Sequence, residues 1–180
     1  TNFRIEDSIV AGNRAGRSTS SVASGGGIYQ NASLSFGSKF HTTENVDFWL
    51  NQAVSAVQAR GGAMTVVDAS ERIVQTNFVD NDVSGTTTSG AALSASNPFI
   101  GWCNTFGNTG AAPFSDEDPG GTNGNVSVDP LYVFAQGTDP AAWNFRLLPG
   151  SPVIDAGDPG GFLQSDGTTP DIGAYGVADW

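Results

Sequence analysis

The sequence predicts an all-β chain, a parallel β-helix (solenoid) with one short helical excursion and an irregular C-terminal cap. Three observations carry that expectation: a recurring motif of an apolar residue shortly before an asparagine, a recurring glycine-marked turn, and short alternating runs between them. The first motif reads Ile9-Val10-Ala11-Gly12-Asn13, Phe78-Val79-Asp80-Asn81 and Phe106-Gly107-Asn108, with a weaker member from Phe40 to Asn45. The second reads Gly25-Gly26-Gly27-Ile28-Tyr29, Gly61-Gly62-Ala63-Met64 and Ser89-Gly90-Ala91-Ala92-Leu93. The two motifs alternate along the chain.

Between them lie runs such as Ala32-Ser33-Leu34-Ser35-Phe36 and Arg72-Ile73-Val74-Gln75-Thr76-Asn77-Phe78. Apolar residues at every second position belong to a strand with one face inward. A unit of two or three such strands is too small to bury its apolar face, and stacking successive units buries it. Glycine and asparagine suit the corners because they tolerate positive φ. An asparagine stacked on another can also hydrogen-bond along the stack, satisfying amides inside a bend.

Residues 1–112 therefore read as the coils, interrupted at 46–59. There Trp49, Leu50, Ala53, Val54 and Val57 approach the spacing of an amphipathic helix. Asn45 fits an N-cap, Asp47 the positive first turn, and Arg60-Gly61-Gly62 a stop. The glycine motifs lie 36 residues apart across this stretch (Gly25 to Gly61) and 28 apart beyond it (Gly61 to Ser89), as an inserted excursion requires. Such an element packs on the solenoid wall or presents a recognition surface. Residues 113–180 read as terminal coils and a cap closing one end of the stack, because Pro130, Pro140, Pro149, Pro152, Pro159 and Pro170 exclude long regular strands. The whole reads as one domain.

The chain has 180 residues, 18 acidic against 7 basic side chains, and a formal net charge of -11. That charge, with Lys39 the sole lysine, argues against nucleic acid and anionic membrane as partners, since both need cationic side chains. No apolar run reaches the roughly 20 residues of a membrane span. Cys103 is the only cysteine, which excludes an internal disulfide, and its neighbours suggest a buried, small apolar role. Few lysines, one cysteine and abundant Gly, Ser, Thr and Asn suit an extracellular or cell-surface protein.

The C-terminal third carries a resemblance. Asn125-Val126-Ser127-Val128-Asp129-Pro130-Leu131-Tyr132, the run from Asn144 to Gly157 containing Ser151-Pro152-Val153-Ile154-Asp155-Ala156-Gly157, and Asp171-Ile172-Gly173-Ala174-Tyr175 look like the closing signature of bacterial choice-of-anchor Q domain proteins. The upstream glycine and Phe-x-x-Asn segments are similar to the repeats of polymorphic outer-membrane proteins. The resemblance covers most of residues 3–175. It implies a right-handed parallel β-helix on a secreted or surface protein of a kind usually assigned no enzymatic activity. Thr1 to Ile5 enters a repeat directly. The expectation is therefore a C-terminal portion of a longer chain, with a protein partner or further N-terminal coils covering the Thr1 end.

Function then reads as a non-catalytic structural, adhesive or assembly module. The alternative is a carbohydrate-binding or polysaccharide-lyase-like β-helix. Lyases on this scaffold resemble one another in placing a Lys or Arg base beside carboxylates. Lys39, His41 and Glu44, with Asp47 close by and Arg60 and Arg72 a coil away, are the candidates. Lys39 and His41 share strand parity and so face outward together. Calcium is the one ion suited to the loops, with Asp116, Glu117 and Asp118 as candidates and Asp155, Asp158 and Asp166 as a second set. Solvated turn acids are the simpler reading of both, and Asp155 and Asp171 suit bonds to backbone N–H groups that hold the end coils. Among the aromatics, Trp102 and Trp143 read as packed, whereas Tyr29, Trp49 and Trp180 could offer sugar-stacking faces, Trp49 and Trp180 as exposed ones.

Overall fold

The computed structural model describes residues 3–19, 21–31, 40–67, 70–115, 122–137 and 139–175. The chain is all-β, with its strands in parallel sheets that do not close into a barrel. It visits four sheets in a fixed order. The first pass places β1 (Phe3–Ala11), β2 (Arg14–Gly16), β3 (Val22–Ser24) and β4 (Ile28–Asn31) in sheets A, B, C and D. The second repeats the order with β5 (Phe40–Trp49), β6 (Gln52–Val54), β7 (Gln58–Arg60) and β8 (Met64–Val67). The third gives sheet A two strands, β9 (Ser70–Val74) and β10 (Asn77–Val79), then β11 (Asp82–Ser84), β12 (Thr87–Ser89) and β13 (Leu93–Ser94). A fourth adds β14 (Phe99–Gly101) and β15 (Asn104–Phe106) to sheet A, with single bridges at Thr109 and Phe114 extending sheets B and D.

Register places like on like. Val10 pairs with Phe48 and Phe48 with Phe78, while Ile28 pairs with Met64 and Met64 with Leu93. These inward residues form the main core, in which the Phe48 and Phe78 rings stack at 5.2 Å and Phe114 meets Phe78 edge-on. Each such pair contributes about 1 kcal/mol beyond the area it buries. Sheets B and C approach over small residues, Ala23, Ala53 and Ala59.

Corners repeat with the strands. Asp7, Asn45, Gln75 and Trp102 occupy equivalent positions in the middle of sheet A, all with φ between 45° and 53°. Gly12, Leu50, Asp80 and Gly107 do the same after the end of sheet A, and Gly25, Gly61 and Gly90 before sheet D. In the last column the expected glycines are required: φ lies between 56° and 64°, and a Cβ on Gly61 would sit 2.1 Å from the Met64 carbonyl oxygen. Gly26 and Gly62 stack beside them, Gly26 N–H donating to the Gly61 carbonyl and Gly62 N–H to that of Gly90. Gly27 N–H donates to the Ala63 carbonyl.

Inside the bend after sheet A runs an asparagine ladder. Asn51 Oδ1 accepts from Asn13, Asn81 Oδ1 accepts from Asn51, and Asn108 Oδ1 accepts from Asn81, each through both backbone N–H and Nδ2 at 2.9–3.1 Å. Asn51 completes the series formed by Asn13, Asn81 and Asn108.

The helical excursion expected at 46–59 is not formed. That stretch is the end of β5, then β6, then most of β7, and it occupies the second pass of sheets A, B and C. Leu50, at φ 54°, turns the chain between β5 and β6, and Asn45 is a left-handed corner within β5 rather than a cap. Three-residue strands joined by two- or three-residue corners bring Trp49, Ala53 and Val57 to helix-like spacing. Among the described residues the one helical element is a 3-10 turn, Pro140–Ala142.

The C-terminal cap expected to close one end of the stack lies elsewhere. Residues 129–175 hold one antiparallel pair, β16 (Tyr132–Phe134) with β17 (Asn144–Leu147), and otherwise turns. They cover the outer face of sheet A: Tyr132, Trp143 and Phe145 pack on Ile9, Ala11, Trp49, Val79 and Phe106, residues drawn from all four passes. The outward residues of sheet A are apolar there, so the long irregular segment buries a flank.

The first pass forms an edge of the four sheets. Among the described residues β1, β2, β3 and β4 each pair with one neighbour, β5, β6, β7 and β8. The interior residues of the second pass, Thr43, Phe48, Ala53 and Met64, are fully buried, whereas their partners Ile5, Val10, Ala15 and Ile28 are only half-buried.

Candidate functional site

Where the C-terminal segment meets sheet A, a row of polar side chains points outward from three successive strands. Asp47, Asn77 and Asn104 are register partners in β5, β10 and β15, and all three are buried. Asp47 Oδ1 accepts from Asn77 Nδ2 at 2.8 Å and from the Tyr132 hydroxyl at 2.6 Å, and Oδ2 accepts from Ala174 N–H at 2.9 Å. Asn77 Nδ2 also donates to the Ile172 carbonyl, and Asn104 exchanges two bonds with the Val128 backbone. Burial pushes the Asp47 carboxyl up to about 6, against the opposing pull of these donors, and holds the Tyr132 hydroxyl well above its ordinary value.

The signature residues of the C-terminal segment build this clasp. Gly173 gives its N–H to the Gln75 carbonyl, and a Cβ there would stand 2.4 Å from Asn77 Nδ2 and 2.8 Å from Asp47 Oδ1. Asp171 Oδ1 accepts from Asp155 N–H at 2.8 Å, so Asp155 enters that bond as a backbone donor, its side chain being exposed. Gly157 N–H donates to the Pro170 carbonyl, the Ser151 hydroxyl to that of Pro130, and Leu131 N–H to Asp129 Oδ1. Pro152 is exposed beside them.

Next to the clasp, sheet A and the loop at 158–164 enclose a cleft of about 640 Å³. Its floor carries Asp7, Asn45 and Gln75 from the left-handed corner column, flanked by Glu44 and Arg72. Asn45 Nδ2 donates to Asp7 Oδ1 at 3.0 Å, and Glu44 sits 3.6 Å from Arg4. Asp158, Phe162 and Gln164 form the far rim. Carboxylates, a guanidinium, amides and an aromatic ring equip the cleft to hydrogen-bond and stack.

The proposed base cluster is not assembled. Lys39 lies outside the described residues. His41, expected to face outward, is 5% exposed because β5 turns it into the interior, where Nδ1 contacts Gln30 Nε2. Its register partner is Glu71, also buried, whose Oε1 accepts from the Thr43 hydroxyl at 2.9 Å and whose carboxyl burial raises to about 7. Glu44 lies three residues from His41 and so on the opposite face, with Arg72 in the cleft, while Arg60 is exposed on β7 in sheet C. A base and a carboxylate on opposite faces of a strand cannot serve one substrate.

Trp49, expected to be exposed, is 4% exposed, because the C-terminal segment covers it: Trp143 meets its ring edge-on at 4.6 Å and Phe145 at 5.7 Å. Trp102 is half-buried at a corner, Tyr29 is exposed, and Trp180 lies outside the described residues. The calcium candidates Asp116, Glu117 and Asp118 lie outside them too. Asp158 and Asp166 cap tight turns at Gly160 and Thr168, and the latter bonds hold the Asp166 carboxyl below its ordinary value. Cys103 is buried, and burial pushes its thiol up to about 12. Sequence reasoning missed Asn77 and Tyr132 as partners of Asp47, Asn104 as the partner of Asn77 in the same row, and Phe162 altogether; the shared parity of Asp47 with Trp49 and of Asn77 with Val79 on outward faces was the available signal.

No family model matches the chain, and neither a curated protein nor a solved structure does.

Proposed function

We propose that the chain is a right-handed parallel β-helix module of an extracellular or cell-surface protein, non-catalytic, with a structural, adhesive or assembly role exerted through the end formed by its first pass. The observation that carries this reading is the first-pass edge: among the described residues its four parallel strands each pair on one side, above the half-buried Ile5, Val10, Ala15 and Ile28. Unpaired strand edges template further strands, and apolar interior residues left half-covered add a driving force at the same place. The fixed order of four sheets over successive passes, the corner columns and the asparagine ladder support the solenoid. The resemblance of residues 125–175 to the choice-of-anchor Q closing signature supports right-handedness and a surface setting. The separation of His41 from Glu44 favours this role over lyase chemistry.

Sedimentation velocity over a wide protein concentration tests it. Mass-action association is expected, and Ile5→Lys with Ile28→Lys should abolish it by placing charges on the edge while the ladders stay intact by circular dichroism. A chain that stays monomeric throughout, or that associates equally well with both lysines in place, refutes the reading.

A further inference from the structure

We propose that the cleft between sheet A and the 158–164 loop is a binding site for uncharged, hydroxyl-rich ligands, namely neutral oligosaccharides. The cleft lies on the outer face of sheet A and reaches β1 through Asp7, but its ligand class is argued from its own side chains and not from the assembly role.

Its chemistry selects the class. Asp7 and Glu44 accept hydrogen bonds, Arg72 donates them in a planar fork, and Gln164 does both, so adjacent hydroxyls meet complementary partners. Charges of both signs share the space. The carboxylates of Asp7, Glu44 and Asp158, within a chain of net charge -11, disfavour an anion such as a polyuronate. Arg72 in the same cleft disfavours a metal ion or an amine. An uncharged polyol satisfies both sets at once. At about 640 Å³ the cleft is of ligand-site size.

Phe162 is the second, independent observation. Its side chain stands 97% exposed at the rim, next to Leu163 at 60%. An exposed ring beside the polar groups of the cleft offers a flat apolar face for the C–H side of a sugar ring. Turn bonds shape the loop on both sides of the ring: Gly161 N–H donates to the Asp158 carbonyl, and Gln164 exchanges backbone bonds with Gly167 and Thr168. The floor is firmer, since Asp7 in β1, Asn45 in β5 and Gln75 directly after β9 share one corner column of sheet A, whose strands lie about 4.8 Å apart. A preorganised rim and floor lower the ordering cost of capture.

Isothermal titration and chemical-shift mapping with cellohexaose, laminarihexaose, mannohexaose and xylohexaose, beside hexagalacturonate, test the site at protein concentrations where the chain is monomeric. At least one neutral hexaose should bind, with shifts at Glu44, Arg72 and Phe162. Phe162→Ala and Glu44→Ala should each weaken it by about fivefold or more, Val22→Ala on sheet C should leave it unchanged, and hexagalacturonate should bind more weakly. No binding of any neutral hexaose, binding indifferent to Phe162→Ala and Glu44→Ala, or tighter binding of hexagalacturonate overturns the proposal. Phe162 is exposed and its truncation leaves the fold alone, so loss of binding in that variant reports on the site.

Discussion

Truncating Asn51 to alanine tests whether the asparagine ladder holds the passes in register. Asn51 is fully buried. Its Nδ2 donates to the Val10 carbonyl at 2.7 Å and to Asn81 Oδ1 at 3.0 Å, and its Oδ1 accepts from the N–H and Nδ2 of Asn13. Asn51→Ala orphans the Val10 carbonyl, which is half-buried, and the Asn13 N–H, which lies near solvent. At about 1–3 kcal/mol per orphaned group, discounted for partial exposure, the loss should be about 3 kcal/mol. Asn81→Ala orphans the carbonyl of the buried Phe48 and the N–H of the buried Asn51, and should cost about 4 kcal/mol. Asn13→Ala, at the exposed end, should cost about 1 kcal/mol or less. Asn51→Asp should be worse than alanine, because it loses both donors and buries a charge. Urea unfolding followed by tryptophan fluorescence gives all four values. Equal costs below about 0.5 kcal/mol at Asn13, Asn51 and Asn81 would refute a ladder that carries stability.

Two buried carboxyls make stability depend on pH. Folding raises Asp47 from 3.8 to about 6 and Glu71 from 4.5 to about 7, so the stabilisation is present below pH 4 and is lost as pH rises to 7. Each shift is worth about 3 kcal/mol, and Glu71→Gln should flatten its share of the decline between pH 4.5 and 7 in urea titrations; a stability that rises over that range contradicts the assignment. Gly173→Ala should cost about 3 kcal/mol, since its Cβ would enter the Asp47–Asn77 contact, and should speed proteolysis between 129 and 175 before the parallel ladders open. Cys103 should resist a thiol reagent in the native chain and react once denaturant unfolds it, its thiol being buried and raised to about 12; rapid native labelling would contradict its burial.

What the sequence discloses about this chain depends on how far apart the interacting residues lie. Alternation in β9 and the glycines at 25, 61 and 90 are local marks, and they located strands and a corner column directly. The corner columns at Asp7 and Gly12 were hidden in part, because Gln75, Trp102 and Leu50 fill positions where positive φ costs about 1 kcal/mol and no residue preference announces it. Leu50 is the decisive case: read as part of an apolar helical stripe, it is the corner that prevents a helix, and taking Asn51 as helical hid a member of the ladder. Strand parity alone separates His41 from Glu44, so the failure of that cluster was legible, whereas the Asp47 network was not. Asp47 finds Asn77, Tyr132 and Ala174 at sequence distances of 30, 85 and 127 residues. Alternation within β5 decides which way Asp47 points. Only the return of the C-terminal segment across sheet A decides what it meets, and that return depends on the outward apolar residues Ile9, Trp49, Val79 and Phe106 acting together. An array of short parallel strands thus encodes its faces locally and its partners collectively, which is why strands and glycine corners were readable from single motifs and the clasp and cleft beside them were not.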